Sequence, residues 1–169
     1  MSARRHLINT IGYMTVCMAS ANYTHADPYE DIFYIPYETP GGNIESWIDF
    51  LGEPPDRNID DVISNPHTGE PVEIVSLIYP NVVATFWLNK IAGYSILLEM
   101  KSDSPAFLDD LNLPFSIRDR ASLTALGDPI FVDQSSIVYR DCGDAHCAYI
   151  KFRISSDSIV GLDWSWEVD

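Results

Sequence analysis

The segment 141–147 holds the densest group of side chains that could bind a metal or form a disulfide. Cys142 and Cys147 flank Asp144 and His146, and Asp141 precedes them. Two thiolates, an imidazole and a carboxylate are ligands that zinc accepts. However, the spacing between the cysteines is longer than that of a zinc knuckle, and the sequence has no second cysteine pair. We therefore predict a Cys142–Cys147 disulfide that clips a hairpin tip and no metal site, with zinc binding as the alternative.

The sequence contains no recognisable catalytic motif. Nucleophilic catalysis needs a serine or cysteine beside a base, but neither His67 nor His146 lies in a known catalytic pattern. Gly-x-Ser-x-Gly, phosphate-loop and dinucleotide-binding patterns do not occur in the sequence. The adjacent acids Asp60 and Asp61 are typical of a solvated surface. We predict a protein that is not an enzyme, with no catalytic residue and no cofactor.

Four side chains on predicted strands are candidates for contact with a partner. Trp87 alternates with the apolar positions of the strand predicted at 82–88, so it faces away from them. Tyr149, Asp163 and Glu167 face away from the apolar positions of two later strands. Exposed aromatic residues next to acids are typical of interface hot spots. We predict that these four residues contact a basic protein. The alternative for Trp87 is burial under the N-terminal segment or under the other half of the chain.

A repeated motif indicates the elements that position these side chains. Leu-Gly-Glu-Pro at 51–54 returns as Leu-Gly-Asp-Pro at 126–129, 75 positions later. A helical pattern precedes each copy, beginning at Asn43 and at Ser116, whose side chains can cap a helix. Gly52 and Gly127 then end the two helices in a left-handed conformation, and the prolines prevent their continuation.

Three strand patterns follow each helix. They cover residues 73–79, 82–88 and 94–100 in the first unit, and 135–142, 147–154 and 159–168 in the second. The last two strands alternate apolar and polar residues, which predicts a sheet with one buried and one solvated face. The helix is the natural cover for the buried face. The predicted fold class is therefore α+β: two tandem units, each a helix and a three-stranded antiparallel meander, with the helices packed on one sheet face.

The remaining segments complete the predicted domain organisation. Pro28, Pro36 and Pro40 forbid a continuous helix, so residues 27–42 are predicted to form an extended lead-in. The first unit covers residues 43–100 and includes a polar insert at 56–71. A linker at 101–115 leads to the second unit at 116–169. Whether the two units form one continuous sheet is left open by the sequence.

Residues 1–26 have the features of an export signal. Arg4 and Arg5 form a positive n-region, residues 7–18 form a short apolar segment, and cleavage can follow Ala21 or Ala26. The apolar segment is too short to span a bilayer. A lipoprotein with Cys17 as its acylated residue is the alternative. We predict a periplasmic or secreted protein without a membrane span.

The chain is strongly acidic. It has 10 Lys and Arg against 25 Asp and Glu, a net charge of −15. Removal of the signal and its two arginines leaves 8 basic against 25 acidic residues, a net charge of −17. A field of this sign repels phosphate backbones and anionic lipid head groups, so nucleic acid and membrane surfaces are disfavoured as partners. Electrostatic steering favours a basic protein.

The repeated motif also carries a family resemblance. Leu-Gly-acid-Pro at 51–54 and 126–129, with Phe152, Ile159, Val160 and the Trp-Ser-Trp at 164–166, resembles the SmpA/OmlA (BamE-like) envelope domains. The tandem layout is similar to that of the secreted β-lactamase inhibitor proteins. This resemblance implies two units whose sheets lie side by side and bind an enzyme on the open sheet face.

Together these observations predict an exported bacterial inhibitor that binds a protein. The most concrete version is an immunity protein that neutralises a periplasmic toxin or hydrolase. The alternative is an envelope assembly or scaffold protein of the BamE-like type. The identity of the target and the oligomeric state do not follow from the sequence.

Overall fold

Antiparallel strands dominate the structure. The computed structural model describes residues 28–111, 119–142 and 146–168; the predicted signal peptide with Cys17, and also Ser116 and Asp144, lie outside these ranges. The strands within them are β1 (Asp56–Ser64), β2 (Pro71–Ile78), β3 (Val82–Asn89), β4 (Tyr94–Ser102), β5 (Phe131–Val132), β6 (Ser136–Cys142), β7 (His146–Ser155) and β8 (Ser158–Val168). These eight described strands form one sheet in the order β1-β2-β3-β4-β8-β7-β6-β5.

Short helices cover one face of the sheet. In the described ranges they are α1 (Pro28–Pro36), α2 (Ile44–Leu51) and α3 (Pro105–Asp110), with a π-helical turn at Tyr37–Gly41 and a 3-10 helix at Ser122–Leu126. Helix α2 begins and ends where its sequence predicts. Asn43 Oδ1 accepts a hydrogen bond from the Ser46 backbone N–H at 2.9 Å, and Gly52, with a φ of 82°, ends the helix.

A continuous hydrophobic core lies between these helices and the sheet. Its largest buried side chains include Trp47 of α2, Phe86 of β3, Phe152 of β7 and Trp164 of β8. Trp47 packs edge-on against Phe86, with ring centroids 6.0 Å apart. Trp164 Nε1 donates a hydrogen bond to the backbone O of Phe33 in α1 at 2.9 Å. Because buried residues from both halves of the chain belong to one cluster, the halves do not fold around separate cores.

The predicted α+β fold class of two tandem helix-plus-meander units is wrong. Strands β4 and β8, the last strands of the two predicted units, pair with each other over residues 99–102 and 162–165. This pairing makes the fold a single, mostly-β sheet. It joins segments that are far apart in the sequence, and no local pattern encodes such a contact. In the described part of the second predicted helix, a 3-10 helix at Ser122–Leu126 precedes Gly127.

The two edge strands are further differences from the sequence prediction. The polar insert at 56–71 contains β1, and all nine residues of this strand are exposed. A strand exposed on both faces needs no alternation of apolar and polar residues, so its sequence does not resemble a half-buried strand. The opposite edge, β5, has two residues, and both are exposed.

Helices form in two segments where the sequence predicted none. Pro28 begins α1 and Pro36 ends it. Proline is tolerated at the first helical position because the N–H there has no partner within the helix. Helix α3 lies in the predicted linker and also begins with a proline. Its Pro105 follows the N-cap residue Ser104, whose Oγ accepts a hydrogen bond from the Phe107 N–H at 3.4 Å.

Candidate binding groove on the outer sheet face

The junction between the two halves of the sheet is short. We call it the seam: β4 and β8 pair from Glu99 opposite Ser165 to Ser102 opposite Leu162. Residues 94–98 of β4 and 166–168 of β8 lie beyond the seam. The Leu97 backbone N–H donates a hydrogen bond to the Gly42 O at 2.9 Å, so the segment before α2 occupies part of the space beside β4. The two halves of the sheet are therefore not paired with each other at residues 94–98 of β4 and residues 166–168 of β8.

A groove of about 870 Å³ lies beyond the end of the seam. Its floor belongs to the sheet face opposite the helices, which we call the outer face, and helix α1 contributes to its wall because the strands are not paired there. Its aromatic lining residues are Tyr34, Trp87, Tyr94 and Trp166. Its aliphatic lining residues are Ile63, Ile74, Ile96 and Leu98, and the loop at 65–68 completes the wall. No Asp, Glu, Lys or Arg is among the described residues that line it. Its volume and apolar lining are typical of ligand-binding sites.

The floor of the groove is a row of apolar side chains across three strands. Ile74 of β2 lies opposite Trp87 of β3, and Trp87 lies opposite Ile96 of β4. The Trp87 ring is half-buried, and its centroid lies 5.8 Å from that of Tyr94. The alternation in the sequence therefore placed Trp87 on the correct face. Its exposed part lies in the groove.

Helix α1 and strand β8 form the wall beside β4. The rings of Tyr34 and Trp166 pack edge-on with centroids 6.1 Å apart, and Trp166 lies equally far from Trp164. Alternation along β8 gives Trp166 the same parity as the buried Trp164, which predicts that Trp166 faces the core. Trp166 does pack against the core, but it also lines the groove because the seam ends before it. No pattern in the sequence predicts this second role of Trp166 or the position of Tyr34.

The loop between β1 and β2 forms the opposite end of the groove. Asn65 is buried, and its Oδ1 accepts hydrogen bonds from the backbone N–H groups of His67 at 2.9 Å and Thr68 at 3.3 Å. Gly69 adopts a φ of 72° and donates its N–H to the Asn65 O at 2.8 Å. These bonds fix the loop, so His67 is held at the groove wall.

Acidic side chains border the apolar floor. Asp61 of β1 lies opposite Ile74, at the end of the floor row. Asp60 accepts a hydrogen bond from Ser76 Oγ, which lies 2.9 Å from Thr85 Oγ1 in the neighbouring row. Neither Asp60 nor Asp61 forms an ion pair with any described residue. The edge of the groove nearest β1 therefore carries negative charge that the described residues do not neutralise.

The other three predicted contact residues lie outside the groove. Tyr149 lies opposite Ser165 on the outer face, and Glu167 is exposed on β8. Asp163 lies opposite Lys101, and its Oδ1 is 3.2 Å from Arg153 Nη2. The charge of Asp163 is therefore balanced locally. The structure places all four residues on one sheet but brings only Trp87 into the groove.

The predicted disulfide is confirmed. Cys142 and Cys147 are bonded at opposed positions of β6 and β7. Both thiols are consumed, which leaves them unable to bind zinc. Among the described residues, no three His, Cys, Asp or Glu side chains are arranged to hold a metal ion. A structural disulfide is characteristic of an oxidising, extracellular compartment.

Two groups outside the groove have shifted pKa values. Burial, with a smaller contribution from Glu53, raises the pKa of Tyr79, whose hydroxyl donates to the Gly52 O at 3.1 Å. Hydrogen bonds from the backbone N–H and the hydroxyl of Ser135 lower the pKa of Asp133. Asp133 also accepts a hydrogen bond from the Ser136 N–H, so it organises the turn between β5 and β6. Both shifts have a structural cause and identify no chemistry in the groove.

Comparisons with known proteins identify no family. The chain matches no protein-family model, no curated protein and no solved structure. The resemblance to tandem SmpA/OmlA (BamE-like) domains is therefore wrong, since the fold is a single eight-stranded sheet and no family model supports it. The Leu-Gly-acid-Pro motifs instead mark the ends of two helical segments of different type. No helix in the described ranges is long and apolar enough to cross a bilayer.

Proposed function

We propose that this protein is an exported bacterial inhibitor that binds another protein through the outer face of its sheet. The most concrete version is an immunity protein that neutralises a toxin or hydrolase in the periplasm. The groove around Trp87 is the observation that carries this proposal. It exposes aromatic and aliphatic side chains on a folded protein of net charge −15.

The chemistry of the groove supports protein binding. Interface hot spots are enriched in tryptophan and tyrosine, and their central side chains are shielded from water by near-neutral neighbours. Trp87 and Tyr94 form such a centre, and the aliphatic floor surrounds them. The acidic surface steers a basic partner towards the protein. The disulfide fits export to an oxidising compartment such as the periplasm.

An envelope assembly or scaffold role has no support from the fold or from the comparisons. It depended on the BamE-like resemblance, and neither the comparisons nor the fold supports that family. The inhibitor hypothesis does not depend on that resemblance, because its support comes from the residues of the groove and from the charge of the chain.

Capture of the partner, followed by an activity assay, tests the proposal. The full-length protein is expressed with export in its own organism and used to capture periplasmic and secreted proteins at low and high ionic strength. We expect a basic toxin or hydrolase that binds at low ionic strength and loses its activity in stoichiometric complex. Trp87→Ala should weaken this binding by about 2 kcal/mol or more, roughly thirtyfold.

Two further variants locate the interface. Phe131→Ala removes an exposed aromatic ring at the far edge of the sheet and serves as the matched control. Tyr149→Ala tests whether the interface extends over β7. Circular dichroism confirms that each variant is folded. A captured partner that keeps its full activity in the complex would contradict the inhibitor, as would binding unaffected by every outer-face substitution.

A further inference from the structure

The floor of the groove has the dimensions of a short extended peptide. Ile74, Trp87 and Ile96 lie in register on three neighbouring strands, and Asp61 stands at the β1 end of the row. Neighbouring strands lie about 4.8 Å apart, so the row measures roughly 14 Å from β1 to β4. An extended chain rises about 3.3 Å per residue, so a segment of about four residues can cover the row.

The charge around the floor distinguishes between possible occupants. The described lining residues include no charged carboxylate or ammonium group, so the floor itself favours an apolar side chain. At the β1 end, Asp60 and Asp61 have no ion-pair partner among the described residues. A cationic group beside the apolar side chain is attracted there, whereas a carboxylate is repelled.

Resting on the proposed function, we infer that the groove binds an extended segment of the partner protein. This segment carries a large aromatic or aliphatic side chain, which packs against Trp87, and a flanking Lys or Arg, which lies near Asp60 and Asp61. Specificity then has two parts. The floor selects the apolar side chain, and the acidic edge rejects segments with acidic flanks.

The four tryptophans of the chain provide a site-resolved assay. Trp47 Nε1 donates to the Gly41 O at 2.8 Å and Trp164 Nε1 donates to the Phe33 O at 2.9 Å, and both rings are buried in the core. Trp87 and Trp166 line the groove. In a ¹H–¹⁵N NMR titration, the indole signal of Trp47 is therefore the internal reference for the two groove tryptophans, because the Trp164 ring lies 6.1 Å from that of Trp166 and senses its changes.

The probes are two blocked tetrapeptides, Lys-Phe-Leu-Lys and Glu-Phe-Leu-Glu. We expect the basic peptide to shift the Trp87 and Trp166 signals while the Trp47 signal stays in place. At low ionic strength the acidic peptide should bind about tenfold more weakly, and high salt should reduce this difference. Replacing both Asp60 and Asp61 with Asn should also reduce the difference in affinity between the two peptides. The basic peptide should still shift the Trp87 and Trp166 signals of this variant.

Variants and a direct comparison with partner capture decide between the possible outcomes. Trp87→Ala should lower the affinity for the basic peptide about tenfold or more, whereas Phe131→Ala should change that affinity by less than about twofold. Equal affinity for the two peptides at low ionic strength, or no shift at Trp87 and Trp166, overturns the inference. If the peptides behave as expected but no protein is captured and inhibited, the inhibitor function fails and the groove chemistry stands. If Trp87→Ala abolishes inhibition but neither peptide binds, the inference fails and the inhibitor function stands.

Discussion

Replacement of Gly161 with alanine tests how tightly the two halves of the sheet are joined. Gly161 is buried on β8, and a Cβ at this position would lie 2.6 Å from Arg153 Nη2 and 2.7 Å from the Ser102 backbone O. Both distances are shorter than real Cβ contacts, so both contacts must be relieved by a shift of the neighbours or of β8 itself. The Arg153 Nη2 donates a hydrogen bond to the same Ser102 O at 2.7 Å, so the guanidinium joins β7 to β4 across the glycine.

Relief of each contact costs free energy. Displacement of the guanidinium loses a charge-assisted hydrogen bond worth about 1.5–3 kcal/mol. Displacement of the backbone at Ser102 carries the cost of overpacking, about 1–3 kcal/mol. Because both contacts must be relieved, we expect Gly161→Ala to lower the free energy of unfolding by about 2 kcal/mol or more. With a urea m-value of about 2 kcal/mol per M, the unfolding midpoint falls by about 1 M or more.

Urea unfolding followed by circular dichroism measures this effect. Val160→Thr is the control, because it is an exposed neighbour of similar shape and should change stability by less than about 0.5 kcal/mol. Arg153→Met separates the two contacts: in this background the alanine meets only the Ser102 O, so its cost should fall. A Gly161→Ala protein as stable as the wild type would refute the reasoning, since the alanine would then fit at the seam without displacing either neighbour.

Two further predictions concern the second half of the sheet. Reduction of the Cys142–Cys147 disulfide should lower the free energy of unfolding by about 2 kcal/mol or less, because it closes a loop of few residues; unfolding with and without reductant measures the difference, and a protein that unfolds completely on reduction would contradict it. For Asp133, the folded-state pKa lies below its ordinary value, so its contribution to stability is present above the unfolded-state pKa and is lost as the pH falls through the folded-state pKa. Ser135→Ala should raise the pKa of Asp133 by removing the hydroxyl donor, and a carboxyl ¹³C NMR titration that shows no rise would contradict the assigned cause.

The strands that are buried on one face could be predicted from the sequence. Alternation at 82–88 and at 159–168 predicts β3 and β8 to within one residue at each end. The edge strand β1 could not be predicted because water reaches both of its faces, so selection for apolar residues on one face is absent. The single sheet could not be predicted either. Pairing of β4 with β8 is a long-range contact, and each strand would show the same alternation beside any other partner.

The candidate groove was predictable only at Trp87, which alternation placed on the outer face. Ile74 precedes Val75, and Ile96 precedes Leu97 and Leu98, so these apolar runs do not show which residue faces outwards. The position of Trp166 depends on where the seam ends, and that position is a property of the assembled sheet. Tyr34 reaches the groove because α1 packs beside β8, in a segment whose prolines predicted no helix.

If the groove binds a partner segment as proposed, the short seam links that binding to the integrity of the sheet. The floor of the groove belongs to β2, β3 and β4, whereas Trp166 belongs to β8 on the other side of the seam. A segment that contacts both sides binds the joined sheet better than a sheet opened at the seam, so it stabilises the joined state by mass action. By the same linkage, a substitution that opens the seam must lower the affinity for the segment. The loss of affinity grows with the population of the open state. Gly161 lies far from the floor row along β8, so the proposed binding predicts that Gly161→Ala lowers the affinity for the segment only if the seam opens before the rest of the fold.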